Sequence, residues 1–175
     1  MKIRYAGINY NDVVDGGKGI CLSFWTQGCP YHCKGCHNPE TWDFYSGGYV
    51  DDYLNIEKKV LNGISNNGII RNFSILGGEP LCDQNIDYIS NLIASVRMNY
   101  PDILIFIWTG NIFENLIKNK IFKNNILNKI DYLIDGPYIN EKRDITLVLR
   151  GSLNQRIIDI KETLKTNQIQ TVEKI

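Results

Sequence analysis

The chain has 175 residues, 43% of them apolar, and Lys plus Arg equals Asp plus Glu at 19 each. That is length enough for one domain with a proper core, and the even charge balance excludes a global basic field for gathering nucleic acid. No apolar run approaches the roughly 18 residues that span a bilayer, and the start, Met1-Lys2-Ile3-Arg4-Tyr5-Ala6-Gly7, carries no apolar leader. We therefore expect a cytoplasmic protein without membrane or nucleic-acid partners, its thiols kept reduced. Nothing repeats at a fixed period and no low-complexity linker divides the chain, so residues 1–175 are read as a single domain.

Residues 20–26 are a compact apolar run ending in Gln27-Gly28, the pattern of a buried strand. The next segment concentrates the chemistry. Gly28-Cys29-Pro30-Tyr31-His32-Cys33-Lys34-Gly35-Cys36 places cysteines in the spacing C-x3-C-x2-C, within a loop taken as residues 28–37. A four-iron cluster is held by cysteine thiolates, and a complete set is four. Three thiolates leave one iron open, and by analogy with zinc an open position marks a reactive site rather than a structural one. A Cys3His zinc site, with His32 or His37 as the fourth ligand, fits the same residues. A disulfide framework does not: the count of five Cys is odd and three crowd one loop.

Residues 51–64 have helical spacing, with Leu54, Val60, Leu61 and Ile64 on one side and Asp51-Asp52 suited to the start. Residues 72–76 read as a strand stopped by Gly77-Gly78. There, in Ser74-Ile75-Leu76-Gly77-Gly78-Glu79-Pro80, two glycines allow close backbone approach to a ligand and Glu79 offers an acceptor for an ammonium group. A tight turn into the next helix explains the same residues. Beside an open iron, which binds an amino acid through its amine and carboxylate, Gly-Gly-Glu is a fitting cradle for the amine. Residues 85–98 form a second amphipathic helix through Ile86, Ile89, Ile93 and Val96. A strand at 103–108 stops at Thr109-Gly110, a helix covers 113–120, and the lysine-bearing stretch 118–129 reads as solvated helix and connection. A strand at 130–134 stops at Asp135-Gly136-Pro137, and a last strand and short helix occupy 149–165.

Strands alternating with helices imply parallel βα units, with the motifs just after the strands, where sheets and barrels place their sites. An eight-fold barrel takes about 250 residues. The expected α/β fold is therefore an incomplete TIM-type barrel of four to six strands, whose side gap admits a large substrate.

On these residues the chain resembles the radical S-adenosylmethionine enzymes, through Cys29, Cys33 and Cys36 and through Gly77-Gly78-Glu79. More narrowly it resembles the branch that activates anaerobic, class III ribonucleotide reductases. That likeness rests on Asn9-Tyr10, Val13-Val14-Asp15-Gly16, Gln27-Gly28-Cys29-Pro30 and His37-Asn38-Pro39-Glu40-Thr41-Trp42. It continues through Trp108-Thr109-Gly110, Asp135-Gly136-Pro137-Tyr138 and Leu149-Arg150-Gly151-Ser152-Leu153-Asn154-Gln155-Arg156. Two positions depart from the pattern: Gly35 stands where many superfamily members have an aromatic residue, and Asn111 where the branch often has one.

The resemblance implies a 4Fe–4S cluster on Cys29, Cys33 and Cys36, with S-adenosylmethionine chelating the fourth iron. Gly78 and its neighbour Gly77 would bind its amino group, with Glu79 accepting from it or shaping the turn, and the backbone of Gly35, Cys36 and His37 would lie along the adenine. One electron would cleave the sulfonium to methionine and a 5′-deoxyadenosyl radical, which takes hydrogen from a glycine of the large reductase subunit. No catalytic side chain is implied, because the hard chemistry belongs to the cofactor. Cys21 and Cys82 are read as buried small apolar residues, which leaves no second cluster and calls for an external donor such as a flavodoxin. His32 and His37 are assigned to loop structure, and Trp25, Trp42 and Trp108 to the core. Asp135 either touches the ribose or caps its turn; Arg150 and Arg156 either meet a partner or brace the rim. Rival readings are an activator of another glycyl radical enzyme, such as pyruvate formate-lyase, a compact radical enzyme acting on a small molecule, a zinc module, and a simple electron carrier.

Overall fold

The apolar runs assemble into one sheet of eight strands in the computed structural model, which describes residues 1–175. In chain order the elements are β1 (Lys2–Asp12), β2 (Cys21–Thr26), β3 (Tyr49–Asp52), α1 (Tyr53–Ile64), β4 (Asn72–Gly77) and α2 (Ile86–Asn99). They continue with β5 (Ile105–Trp108), α3 (Phe113–Leu116), β6 (Tyr132–Asp135), β7 (Arg156–Asp159), α4 (Ile160–Thr166) and β8 (Thr171–Val172). The strand order is β3-β1-β2-β4-β5-β6-β7-β8. The centre, β2-β4-β5-β6, is parallel, and both wings are antiparallel. The outermost strands, β3 and β8, do not pair with each other, so the sheet is open.

Side-chain alternation along the strands sorts the core. Leu22, Phe24, Phe73, Ile75, Ile105, Ile107, Leu133 and Ile158 pack with Ile56, Val60 and Ile64 of α1 and Ile89, Leu92, Ile93 and Val96 of α2. The alternate residues Phe106, Ile134 and Ile157 form a smaller cluster with Leu149, Val172 and Ile175. The central strands are buried on both sides, which is why they read as continuous apolar runs. No helix is long and apolar enough to cross a membrane.

Several expectations change. The sheet has eight strands rather than four to six, and only its centre consists of parallel βα units. The last strand and short helix expected over 149–165 are β7 and α4, whereas the N-terminal wing escapes a sequence reading because β1 buries only Ile3, Tyr5 and Asp12 along its 11 residues, too sparse for an apolar run. Leu54 is 64% exposed; the buried stripe of α1 is Ile56, Val60, Gly63 and Ile64. The helix expected over 113–120 holds regular geometry only to Leu116. Asn119 accepts the Ile121 and Phe122 amides at 2.9 and 3.1 Å and so starts a new turn. That turn buries Phe122, Ile126 and Leu127, so the lysine-bearing stretch is solvated on one side only. The three tryptophans are half-buried rather than core residues.

Candidate iron-sulfur site

The cysteine loop leaves β2 under close restraint. The Gly28 and Cys29 amides donate to the Thr41 and Trp42 carbonyls at 2.8 and 3.0 Å. Gln27, 3% exposed, donates from Nε2 to the Glu40 and Asp43 carbonyls at 3.0 and 2.9 Å. Gly28 has φ +93°, and a Cβ there would lie 2.0 Å from the Phe44 ring, so no other residue fits. Further on, the Cys36 amide donates to the Cys33 carbonyl at 3.0 Å and the Asn38 amide to Cys36 Sγ at 3.4 Å. An amide aimed at a cysteine sulfur is the kind of contact that tunes a thiolate-held cluster.

All three thiols are half-buried. Burial pushes the Cys29 and Cys33 thiols up, against backbone donors that favour the thiolate. They are therefore thiols until a metal displaces their protons. The three thiols share one loop without being gathered as a metal site. Both histidines are turned to aromatic neighbours: His32 stacks on Trp42 at 4.7 Å and His37 meets Tyr138 at 5.6 Å. Their assignment to loop structure agrees with these contacts. A donor set of three thiols on one loop, with an amide on one sulfur, fits an iron–sulfur cluster.

The Gly-Gly-Glu loop is stitched to the cysteine loop backbone to backbone. The Gly78 amide donates to Thr26 O at 2.9 Å and the Glu79 amide to Gly28 O at 2.8 Å. Gly77 has φ +101°. A Cβ on Gly78 would lie 2.4 Å from Gly28 O, so its first need for glycine is this close approach. Asn85 Nδ2 closes the joint, donating to Gln27 O at 3.1 Å and Glu79 O at 2.9 Å. Glu79 is 1% exposed. Its Oε1 accepts from the Leu81 amide at 2.9 Å and the Thr109 hydroxyl at 2.7 Å, and its Oε2 from the Gly110 amide at 2.7 Å. Burial pushes its carboxyl up and these donors pull it back. The carboxylate thus shapes the turn and ties the loop after β4 to the loop after β5, and its charge reaches Cys29 and Cys33.

The remaining motif residues brace the far side. Gly35, φ +74°, faces the Asn140 side chain. Gln155 accepts from the Gly151 amide at 2.9 Å and donates to Gly136 O at 3.0 Å, and Asn154 donates to Pro137 O at 2.7 Å. Asp135 is fully buried, pairs with Arg156 and accepts the Phe113 amide at 2.8 Å. Arg156 also grips Glu114 with two bonds, at 2.9 and 2.8 Å. Asp135 therefore braces the start of α3 and the root of β7. Arg150 pairs with Glu173 at 2.6 Å.

Cys21 and Cys82 are buried as expected. Cys82 nevertheless lies within electrostatic reach of Cys29, and burial pushes its thiol up to about 11. Gln27 and Thr109 stood in the motif stretches without an assigned role, and Asn85 was read only as the start of a helix; all three are polar side chains buried at the joint between motifs. Their only signal was position, one residue before Gly28, six after Glu79 and one before Gly110. A cavity of about 410 Å³ flanks the loop at Pro30 and Tyr31, and another of about 300 Å³ lies at Trp25, Gln27 and Asn38.

Residues 15–158 match the family described as a 4Fe-4S single cluster domain. The chain is 35% identical over 147 residues to the anaerobic ribonucleoside-triphosphate reductase-activating protein of Haemophilus influenzae, covering 83% of this chain and 91% of that one. It is 32% identical over 145 residues to the protein of that name from Escherichia coli K12, covering 82% and 90%. To that of Enterobacteria phage T4 it is 34% identical over 142 residues, covering 81% and 85%.

Proposed function

The chain belongs to the family of anaerobic ribonucleoside-triphosphate reductase-activating proteins with a 4Fe-4S domain, and on that premise we propose that it activates the large subunit of such a reductase as a radical S-adenosylmethionine enzyme. The observation that carries the reading is the joint between the two motifs: Gly78 to Thr26 and Glu79 to Gly28, amide to carbonyl. It fixes the Gly-Gly-Glu turn against the root of the loop that bears the three thiols.

Cys29, Cys33 and Cys36 would hold the cluster. The backbone at Gly35, Cys36 and His37 and at Gly77 and Gly78 would receive S-adenosylmethionine. When bound, this pair supplies one-electron cleavage of the sulfonium and removal of hydrogen from a glycine of the reductase. The chain's own residues do the positioning. Gln27 and Asn85 lock the loop roots, Glu79 holds the Thr109-Gly110 loop beside them, and Arg156 clamps Asp135 below the rim. With Cys21 and Cys82 buried, no set of thiols remains for a second cluster, which supports an external donor such as a flavodoxin. The open ends of the sheet, with helices α1 and α2 packed on one face, support reading it as an incomplete TIM-type barrel. A cytoplasmic setting suits five free thiols.

The test combines reconstituted protein, reductase, S-adenosylmethionine and a one-electron reductant without oxygen. We expect a glycyl radical signal on the reductase by electron paramagnetic resonance, absent with Cys33→Ala. A reductase that stays radical-free with the wild-type chain would refute the reading.

A further inference from the structure

The function above gives Trp42 no role. This residue follows the short turn Pro39–Thr41, on the segment that runs beside the root of the cysteine loop. Its amide donates to Pro39 O at 3.2 Å, and its carbonyl accepts the Cys29 amide at 3.0 Å. Its ring stacks on His32, with centroids 4.7 Å apart and planes 22° from parallel. His32 stands between Cys29 and Cys33 and has φ +47°, a left-handed conformation that costs a residue with a side chain. Trp42 is thus held to the thiol-bearing loop at two points, once through its backbone and once through its ring.

Its indole N–H is left without an acceptor. Nε1 is shielded from solvent and has no hydrogen-bond partner in the protein. A buried donor in that position keeps the full penalty of desolvation, and native proteins rarely leave one so. The indole of Trp108 shows the usual outcome, donating to Leu149 O at 2.8 Å. Three other shielded atoms lack partners, on Tyr88, Arg150 and Asn154. Trp42 is the one of the four residues bonded to the cysteine loop.

The thiols themselves meet backbone donors. Cys29 faces the Tyr31 and His32 amides, Cys33 the Tyr138 amide, and Cys36 the Asn38 amide at 3.4 Å. A bound cluster brings more sulfur to this loop, its inorganic sulfides, and with them new acceptors. An indole N–H is a donor only and carries no charge. It suits an electron-rich sulfur and does not titrate.

We propose that the Trp42 indole N–H donates to a sulfur of the cluster borne by this loop and so raises its reduction potential. The proposal rests on the cluster reading argued above. Hydrogen bonds to sulfur are among the factors that set such potentials. A reduced cluster carries one more negative charge, so the donor stabilises it more than the oxidised form and eases entry of the electron.

The experiment is a redox titration of anaerobically reconstituted protein, followed by electron paramagnetic resonance. Trp42→Phe keeps a ring for His32 and removes the donor. Trp108→Phe is the control, since its N–H is already taken by Leu149. At the wild-type midpoint we expect the ratio of reduced to oxidised cluster to fall about threefold to tenfold in Trp42→Phe, tenfold being about 59 mV for one electron. Trp108→Phe should match wild type. A merely structural role would lower iron content or the unfolding midpoint and leave the potential where it was. Should Trp42→Phe hold no iron, protein with isotopically labelled indole nitrogen decides. Pulsed resonance of its reduced cluster should show a nitrogen coupling that persists in Trp25→Phe and in Trp108→Phe. If wild type forms no four-iron cluster, the cluster reading itself fails. If it forms one and Trp42→Phe titrates at the wild-type potential, or the labelled nitrogen shows no coupling, the Trp42 proposal alone fails.

Discussion

Two acidic groups show how differently burial acts on one residue type. Burial would push Asp12 up, but donors from Ser23 and from the Val14 and Asp15 amides outweigh it and hold its carboxyl below the ordinary range. Asp15 lacks such donors. Burial first, and the neighbouring Asp12 charge second, push it up to about 6. The folded protein therefore keeps a proton that the unfolded chain loses above about pH 4. Stability should fall as pH rises from about 4 to 6, the whole cost being present above that window. Solvent screening at this half-buried site limits the cost to the order of 1 kcal/mol. Asp15→Asn should remove the slope and raise stability at neutral pH; identical denaturant midpoints for both proteins across the window would contradict this. Glu79 is raised too, burial outweighing the donors from Thr109 and from the Gly110 and Leu81 amides, and its two oxygens accept all three of those donors. Glu79→Gln sets an amide NH2 against one of those donors, and we expect a loss of about 1–3 kcal/mol in denaturant unfolding together with weaker iron retention. An unchanged midpoint would show the carboxylate to be dispensable. The cysteines and Gly-Gly-Glu were legible because their chemistry sits in short local spacings. The pairing of Glu79 with Thr109 was not, because the two lie 30 residues apart and only the fold brings them together.

At the scale of elements, the loops after β2, β4, β5 and β6 behave as one assembly because their backbones and buried polar groups interlock. Gly78→Ala tests the tightest joint. The new methyl would meet the Gly28 carbonyl at 2.4 Å, backbone against backbone, with no flexible side chain to yield. We expect a loss of about 1–3 kcal/mol and lower iron content after reconstitution, while full iron loading would contradict the close approach. Arg156→Ala tests the clamp among α3, β6 and β7. It leaves the fully buried Asp135 without its cation, and about 3 kcal/mol should be lost. Arg156→Lys should recover part of that, having the charge without the fork that grips Glu114; equal loss in both variants would rule out the charge as the cause. The strands of the parallel centre could be read from the chain because both their faces are buried, and α1 and α2 because each buries one apolar stripe. β1 and β3 could not, since their polar, half-exposed residues acquire order from pairing with β2 and with each other. The break after Leu116 was equally hidden, residing in one side chain, Asn119, that caps the following turn.

For the molecule as a whole, a parallel centre delivers four loops to the same end, and antiparallel wings extend it without closing it. The chemistry is concentrated at that end, and the polar cleft beside the cysteine loop opens among the same loops. The frame was foreseeable from alternation of strands and helices; the wings and the cleft depend on contacts between distant segments. The central claim is that Cys29, Cys33 and Cys36 hold a cluster with an iron open to S-adenosylmethionine. Electron paramagnetic resonance of the anaerobically reconstituted, reduced protein tests it most directly, recorded with and without that compound. The account predicts a reduced four-iron signal that changes shape when S-adenosylmethionine is added. An absent iron signal, or one indifferent to the addition, would contradict it and return the cysteine loop to a structural or electron-carrying role.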